Sequence, residues 1–365
     1  MTNIQKNNII SLYIPKHLIR NGYNYSILLF SFWGVLENSS TPLTTAVFRQ
    51  LSFDTTYYSL VEDSDNADYI FLPYNYWFLL KKDPQLIKDF ISESKKINKP
   101  LLIDAIGDIM KDIDIPNSVI MRYAQYRNRL KQNDVIIPLY VEDILDSLRH
   151  REIIVRDKTK RPSIGFVGWS SLPFFEYPKT HIKDFPLLLL GLLTTRFDLY
   201  RKGVLLREKV LKILELSPFV KTQFIYRKSF SANTKTAKGD IRILRKEFIE
   251  NIINSDYALC VKGDANQSTR FFEALSLGRI PLFVDTDIAL PLEGKINYKD
   301  FCVFVDYRNI KNIGTILYEF HKNLSPEEFK NMQIKAREVF EKYLRIDVFT
   351  RYLMEELKEK SKYKN

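Results

Sequence analysis

The side chains best placed to do chemistry lie in residues 254–291, NSDYALCVKGDANQSTRFFEALSLGRIPLFVDTDIALP. The stretch reads as an apolar strand, a polar loop over 262–267, a helix over 269–277, a tight turn, a second strand and a Pro-flanked loop. Ser268 and Thr269 are good N-cap residues, so the helix opens with backbone N–H groups that have no intrahelical partner. At the carboxyl end of a parallel strand, such an opening suits a phosphate. Arg270 falls in the first turn, where a cation opposes the helix dipole unless something negative binds nearby. Glu273, three residues on, shares a helix face with Arg270, and a carboxylate there suits ribose hydroxyls. The plainer alternative is a capped surface helix on which Arg270 and Glu273 simply pair. The Gly-rich phosphate signatures GxGxxG and GxxxxGKS/T are absent.

The elements around this stretch indicate how it is held. Continuous apolar runs at 27–32, 69–74, 100–104, 134–139, 163–168, 257–261, 280–284 and 302–305 read as strands buried on both faces of parallel sheets. Helical spacing alternates with them over 84–98, 205–216, 244–255, 269–277 and 326–343. Strand and helix in alternation predict an α/β architecture. The polar segment 150–162, HREIIVRDKTKRP, separates two strand sets and marks a boundary. The resulting division is an N-terminal unit over 1–155, a C-terminal unit over 156–340, and a helix with a frayed tail over 341–365 that packs back on the N-terminal unit.

Charge follows the same division. The chain has 365 residues and a net charge of +11, with 45% hydrophobic and 27% charged residues, a composition that excludes disorder, collagen and coiled coil. Residues 1–150 hold 16 basic and 17 acidic groups, whereas 151–365 hold 39 and 27, so the second half carries the excess and its partner should be anionic. The two cysteines, Cys260 and Cys302, sit in apolar runs and are too few for a disulfide framework. The N-terminus has no secretory pattern. The longest apolar stretches, 26–36 and 185–193, fall short of the roughly 20 residues that span a bilayer. The expectation is a cytoplasmic protein, or one at the inner face of the plasma membrane.

The residues of 254–291 resemble the signature of exostosin-type glycosyltransferases, the GT47 type. That pattern runs through an aromatic strand ending in Cys-Leu, a Gly-containing loop, Ser-x-Arg, two apolar residues, Glu-Ala, Gly-Cys-Ile-Pro-Val and Leu-Pro. Here it reads YALCVKG at 257–263, STRFFEAL at 268–275, LGRIPLFV at 277–284 and LP at 290–291. DSDNADYIFLPYNYW at 63–77, NDVIIP at 133–138, RPSIGFVG at 161–168 and LLREKVLKIL at 205–214 are similar to further family markers in the same order. Arg279 stands where the family usually has Cys, and the anchor and luminal cysteine pairs of animal and plant members are missing, which marks the chain as similar to a cytoplasmic, microbial relative.

The resemblance implies a GT-B fold: two Rossmann-like domains facing across a cleft, the C-terminal one holding a nucleotide-diphosphate sugar. Ser268, Thr269 and Arg270 would cradle the diphosphate, Arg207 would add a second cation and Glu273 would hold the ribose. Lys262 and Gly263 complete the donor-binding set. No bound metal or other cofactor is expected. The reaction implied is transfer of a sugar, foremost from a UDP-sugar and with inversion, to a glycan acceptor in cell-surface polysaccharide or glycan assembly. The acceptor is a glycan or lipid-linked glycan, and the basic surface suits peripheral contact with an anionic membrane. Such a reaction needs a base for the acceptor hydroxyl. Asp104, at the end of the 100–104 strand, is the first candidate, with Asp108, Asp54 and Glu176 behind it; the bland role for Asp104 is capping the next turn. Trp77 is a candidate sugar platform. His17, His150, His181 and His321 show no ligand or nucleophile spacing, and Lys179 and Lys183 read as solvated. A glycan-binding protein with a transferase-like fold is the alternative; a nucleic-acid binder would show clustered Arg among aromatics or a known module, and neither is present.

Overall fold

The computed structural model describes residues 9–36, 47–148, 152–172, 174, 176–178, 202–228 and 239–362. Its first half builds one parallel sheet from β1 (Ile10–Tyr13), β2 (Tyr58–Val61), β3 (Tyr69–Leu72), β4 (Leu101–Asp104), β5 (Ser118–Arg122) and β6 (Asp134–Ile136), in the order β2-β1-β3-β4-β5-β6. Every residue of β3, β4, β5 and β6 is buried, which is why β3, β4 and β6 fall in the apolar runs of the sequence. The second sheet comprises β7 (Ser163–Trp169), β8 (Lys221–Arg227), β9 (Tyr257–Cys260), β10 (Ile280–Asp285) and β11 (Val303–Asp306), also parallel, in the order β11-β10-β9-β7-β8. Two Rossmann-like α/β units therefore face each other across a cleft, the GT-B arrangement.

The helices that matter for the site are α1 (Pro84–Lys96), α2 (Gly203–Glu215), α3 (Ile241–Ile253), α4 (Thr269–Ser276), α5 (Ile313–Asn323), α6 (Pro326–Val339) and α7 (Ile346–Lys362). Their ends follow local chemistry. Asp83 caps α1 by accepting from Leu86 N, with Pro84 at the first position. Ser325 and Glu328 form a capping box at the start of α6. Helix α7 crosses back to the first unit, burying Ile346, Phe349, Leu353, Met354 and Leu357 in the N-terminal core, and Tyr69 Oη donates to Leu357 O at 2.6 Å. Among the described residues no helix is long and apolar enough to cross a membrane.

Three features differ from the pattern reading. The run 27–32 is not a strand: Ile27–Leu29 form a 3-10 turn and Phe30–Trp33 one helical turn, ended by Gly34 at φ 93°. Ile27 through Phe30 are all buried, so the run is apolar because it is covered, and a short covered run fits a helical turn as well as a strand. Strands β1, β2, β5 and β8 carry no strong apolar run; β2 and β8 are edges, and β8 is largely exposed. Helix α6 ends at Val339 in a π-turn, Phe340–Leu344, which redirects the chain toward α7.

Among the described residues the units meet at several places, three of them beside the connecting segment and the 285–290 loop. Tyr126 and Ile288 form an isolated antiparallel bridge, flanked by Arg127 N to Asp287 O at 2.8 Å and Ala289 N to Gln125 O at 3.1 Å. Leu139 and Val141 join the core of Phe271, Phe272 and Leu275. Asp143 is buried against Arg337 Nη1 at 2.6 Å, with Arg345 3.8 Å away.

Candidate functional site

The carboxyl end of β7, the first turns of α2 and α4, one face of α3 and the loop 261–268 enclose a cavity of about 490 Å³. The opposite unit reaches it through Asp108, which accepts from Gln267 Nε2 at 3.1 Å. The cavity thus lies at the carboxyl ends of parallel strands, where the loops that follow them converge.

Close backbone packing shapes its walls. A Cβ on Gly203 would sit 1.9 Å from Gly263 O, so only glycine lets α2 start against the loop. At Gly168 the approach is to a side chain: a Cβ there would lie 3.1 Å from Arg270 Nη2, a contact the arginine tip can relieve by a small shift. Ser268 is the N-cap residue of α4 but makes no side-chain capping bond, so the first-turn amides are not closed off by its hydroxyl. Gln267 Oε1 beside it is buried without a hydrogen-bond partner.

The electrostatics centre on Phe166. The Arg270 guanidinium lies 4.2 Å from that ring centroid and 5.3 Å from the Phe248 ring, donates to Val167 O, and has a buried Nε without a partner. Arg207 lies 6.0 Å from Phe166 and donates to Trp169 O at 2.7 Å and Lys262 O at 3.3 Å. Among the described residues neither cation has a carboxylate within ion-pair distance. Burial, then the neighbouring Arg270 charge, pushes Arg207 down to about 10, and burial lowers Arg270 as well. Two poorly compensated, desolvated guanidiniums beside an uncapped helix start have the chemistry to take up an anion, because a bound anion would offset both the desolvation and their mutual repulsion.

Arg270 and Glu273 do not pair with each other. Glu273 Oε1 accepts from Arg245 Nη1 at 2.8 Å, and Arg245 Nη2 donates to Glu142 Oε2 at 2.8 Å. The structure therefore brings together Arg207, Gly263, Ser268, Thr269, Arg270 and Glu273 along one cavity. Lys262 is buried and meets the site through its carbonyl; its side chain is not among the walls. Asp104 lies at the end of β4, buried and not among the cavity walls, accepting from Ile106 N at 3.1 Å and Asn75 Nδ2 at 3.4 Å, and burial raises its pKa. Asp108, four residues on, is a wall residue. Asp54 is exposed and accepts from Thr56 N at 2.9 Å, and Glu176 is half-buried outside the cavity.

Phe166, Phe248, Arg227 and Arg245 are wall residues that sequence reasoning missed. The available signal was modest: Arg245 and Phe248 lie three apart on one face of a helix in the basic stretch. Arg279 is fully buried and donates to Ile253 O at 3.1 Å, Gln333 Oε1 at 2.7 Å and Ile154 O, so it straps the linker to the C-terminal unit. Trp77 is half-buried, its Nε1 donating to Ala105 O at 3.0 Å, with Tyr76 edge-on at 5.1 Å. His17 is exposed, and His321 is a buried core group between Tyr257 Oη at 2.8 Å and Thr159 O at 2.7 Å. His150, His181, Lys179 and Lys183 lie outside the described residues. Among the described residues no three His, Cys, Asp or Glu side chains converge as a metal site.

Comparison with known proteins bears on the C-terminal unit. Residues 208–320 match the Exostosin GT47 domain. A probable glycosyltransferase of Arabidopsis thaliana is 31% identical over 91 residues, covering 24% of this chain and 17% of that protein. A probable β-1,4-xylosyltransferase of the same plant is 36% identical over 70 residues, covering 19% of this chain and 17% of that protein. The matched segments are thus about one sixth of the length of these relatives. Among solved structures, a glycosyltransferase from Rickettsia africae is similar at a TM-score of 0.36 and 11% identity, over 81% of this chain and 77% of that one.

Proposed function

We propose that this chain, which belongs to the exostosin GT47 family through residues 208–320, is a glycosyltransferase that uses a nucleotide-diphosphate sugar, foremost a UDP-sugar. The observation that carries the proposal is the pair Arg207 and Arg270, gathered about Phe166 at the start of α4 with no carboxylate partner among the described residues. The diphosphate would take up the charge of both guanidiniums and the first-turn amides of Thr269 and Arg270. The ribose would lie toward Glu273. The sugar's anomeric carbon would then face the N-terminal unit.

In the transfer step an acceptor hydroxyl oxygen bonds to the anomeric carbon as the bond from that carbon to the diphosphate oxygen breaks, with inversion. The hydroxyl proton passes to a carboxylate, and the departing charge stays with Arg207 and Arg270. Of the two N-terminal carboxylates, Asp108 opens onto the cavity and is the better-placed base, with buried Asp104 behind it. In this scheme side-chain cations and a helix opening compensate the leaving group, and no metal ion is assigned a role. The acceptor proposed is a glycan or lipid-linked glycan of cell-surface polysaccharide assembly, with the half-buried Trp77 as a stacking surface, and with the basic C-terminal unit resting on an anionic membrane.

The test is thermal stabilisation by UDP, GDP, CMP and ADP, in EDTA, for wild type, Arg270→Ala and Glu273→Ala. One diphosphate should raise the wild-type midpoint, at ligand about 100 times its Kd adding roughly 2.7 kcal/mol, and both variants should show a clearly smaller rise. No response from wild type to any of the four would sink the proposal.

A further inference from the structure

Among the described cavity guanidiniums, Arg245 alone holds two carboxylates. One is Glu273 in the cavity wall; the other is Glu142, on the segment that leaves the N-terminal unit. All three side chains are mostly buried, at 18%, 13% and 14% exposure for Arg245, Glu142 and Glu273, so the triad is not a surface pair that water would loosen. Glu142 is itself fixed. Its Oε1 accepts from Ser147 Oγ, Ser147 Oγ accepts from Gln50 Nε2 at 2.9 Å, and Gln50 Oε1 receives the main-chain N–H of Asp143 at 2.9 Å. Asp143 is pinned in turn by Arg337. A continuous polar chain thus runs from the N-terminal unit through Glu142 and Arg245 to one oxygen of Glu273. Among the described residues the other oxygen, Oε2, has no protein partner.

A Glu carboxylate turns about a soft terminal torsion, so its direction must be set by what it bonds to. We infer that Arg245 is a positioning residue: clamped by Glu142, it fixes Glu273 so that the free oxygen receives the ribose hydroxyls of a nucleoside diphosphate. The inference rests on the donor-site reading of the cavity. It adds that recognition of the ribose depends on the segment that joins the two units, because Glu142 holds the Arg245 fork from that segment.

The readout is discrimination at the ribose, which a purely structural role of Arg245 would leave unchanged. Affinities for UDP and GDP and for their 2′,3′-dideoxy counterparts are measured by titration calorimetry on the full chain for wild type, Arg245→Met, Arg245→Lys and Glu142→Gln. Wild type should favour the ribose form of its nucleotide by roughly 10- to 100-fold, the factor that hydrogen bonds to a charged group carry. Arg245→Met should bring that ratio close to one while the dideoxy affinity changes little. Arg245→Lys, which keeps a charged donor, should recover part of the ratio. Glu142→Gln preserves volume and should lower the ratio without unfolding the chain, so it carries the test where Arg245→Met does not fold. Wild-type ratios in both Glu142→Gln and the folded Arg245 variants would overturn the inference and leave the donor site standing. Equal wild-type affinity for ribose and dideoxy forms would overturn it too, whereas no binding by wild type would overturn the donor-site reading itself.

Discussion

Replacing Arg270 by Met separates a residue kept for folding from one kept for an anion. Met has similar length and no charge. In the ligand-free protein, Arg270 contributes a hydrogen bond to Val167 O and a stacked contact with Phe166 at 4.2 Å, against the cost of a desolvated guanidinium with a buried, unpartnered Nε. The favourable terms are about 1 kcal/mol for the hydrogen bond and up to about 2 kcal/mol for the cation over the ring. The desolvation term opposes them at several kcal/mol, only partly relieved in a cavity open to water. Arg270→Met should therefore leave the ligand-free protein within about 1 to 2 kcal/mol of wild type, in either direction. The ligand-bound protein should behave differently, because a guanidinium-to-phosphate bond is charge-assisted and its loss costs about 2 kcal/mol, or roughly 30-fold in Kd. At nucleotide equal to 100 times the wild-type Kd, the stabilisation then drops from about 2.7 to about 0.9 kcal/mol. For a unit of about 200 residues this shrinks a midpoint rise of roughly 5–10 °C to roughly 2–3 °C. Differential scanning fluorimetry with and without nucleotide measures both numbers. A variant that loses more than about 3 kcal/mol without ligand but keeps the full nucleotide increment would refute the reasoning, since Arg270 would then be a structural cation.

Two further perturbations test how the site is held and how the fold responds to acid. Gly203→Ala puts a methyl 1.9 Å from a backbone oxygen of the 262–263 loop, so urea denaturation should show a loss of at least about 2 kcal/mol, with weakened nucleotide binding because the same loop accepts from Arg207. His321 is buried, and its pKa is lowered from 6.5 by that burial. A depressed folded pKa means that the unfolded chain binds the proton more tightly, so the stability contributed by neutral His321 is fully present above 6.5 and is lost as pH falls through the folded pKa. His321→Gln should flatten the fall in the urea midpoint below pH 6.5; an unchanged slope would show that His321 does not govern it.

Local spacing determined much of this protein. The apolar runs at 69–72, 101–104, 163–169, 257–260 and 280–285 are strands because burial on both faces demands apolar residues at every position, which sequence displays directly. The start of α4 was equally legible, since a polar loop ending at Ser268 and Thr269 before Phe271, Phe272, Ala274 and Leu275 sets the helix boundary by local hydrogen bonding and helical periodicity alone. From it the placement of Arg270 and Glu273 on one helix face followed.

Only the tertiary structure decided what those side chains touch. Glu273 bonds Arg245, 28 residues away, and Arg245 bonds Glu142, 103 residues away, and neither distance has a local signature. Arg279 is buried because the linker at Ile154 and helix α6 close over it. Asp104 and Asp108 read alike in sequence, yet packing buries the first at the end of β4 and leaves the second on the cavity. The physical reason is the same in each case: strand, helix and cap depend on neighbours within a few residues, whereas an ion pair or a desolvated cation depends on which distant surfaces the two sheets bring within about 4 Å.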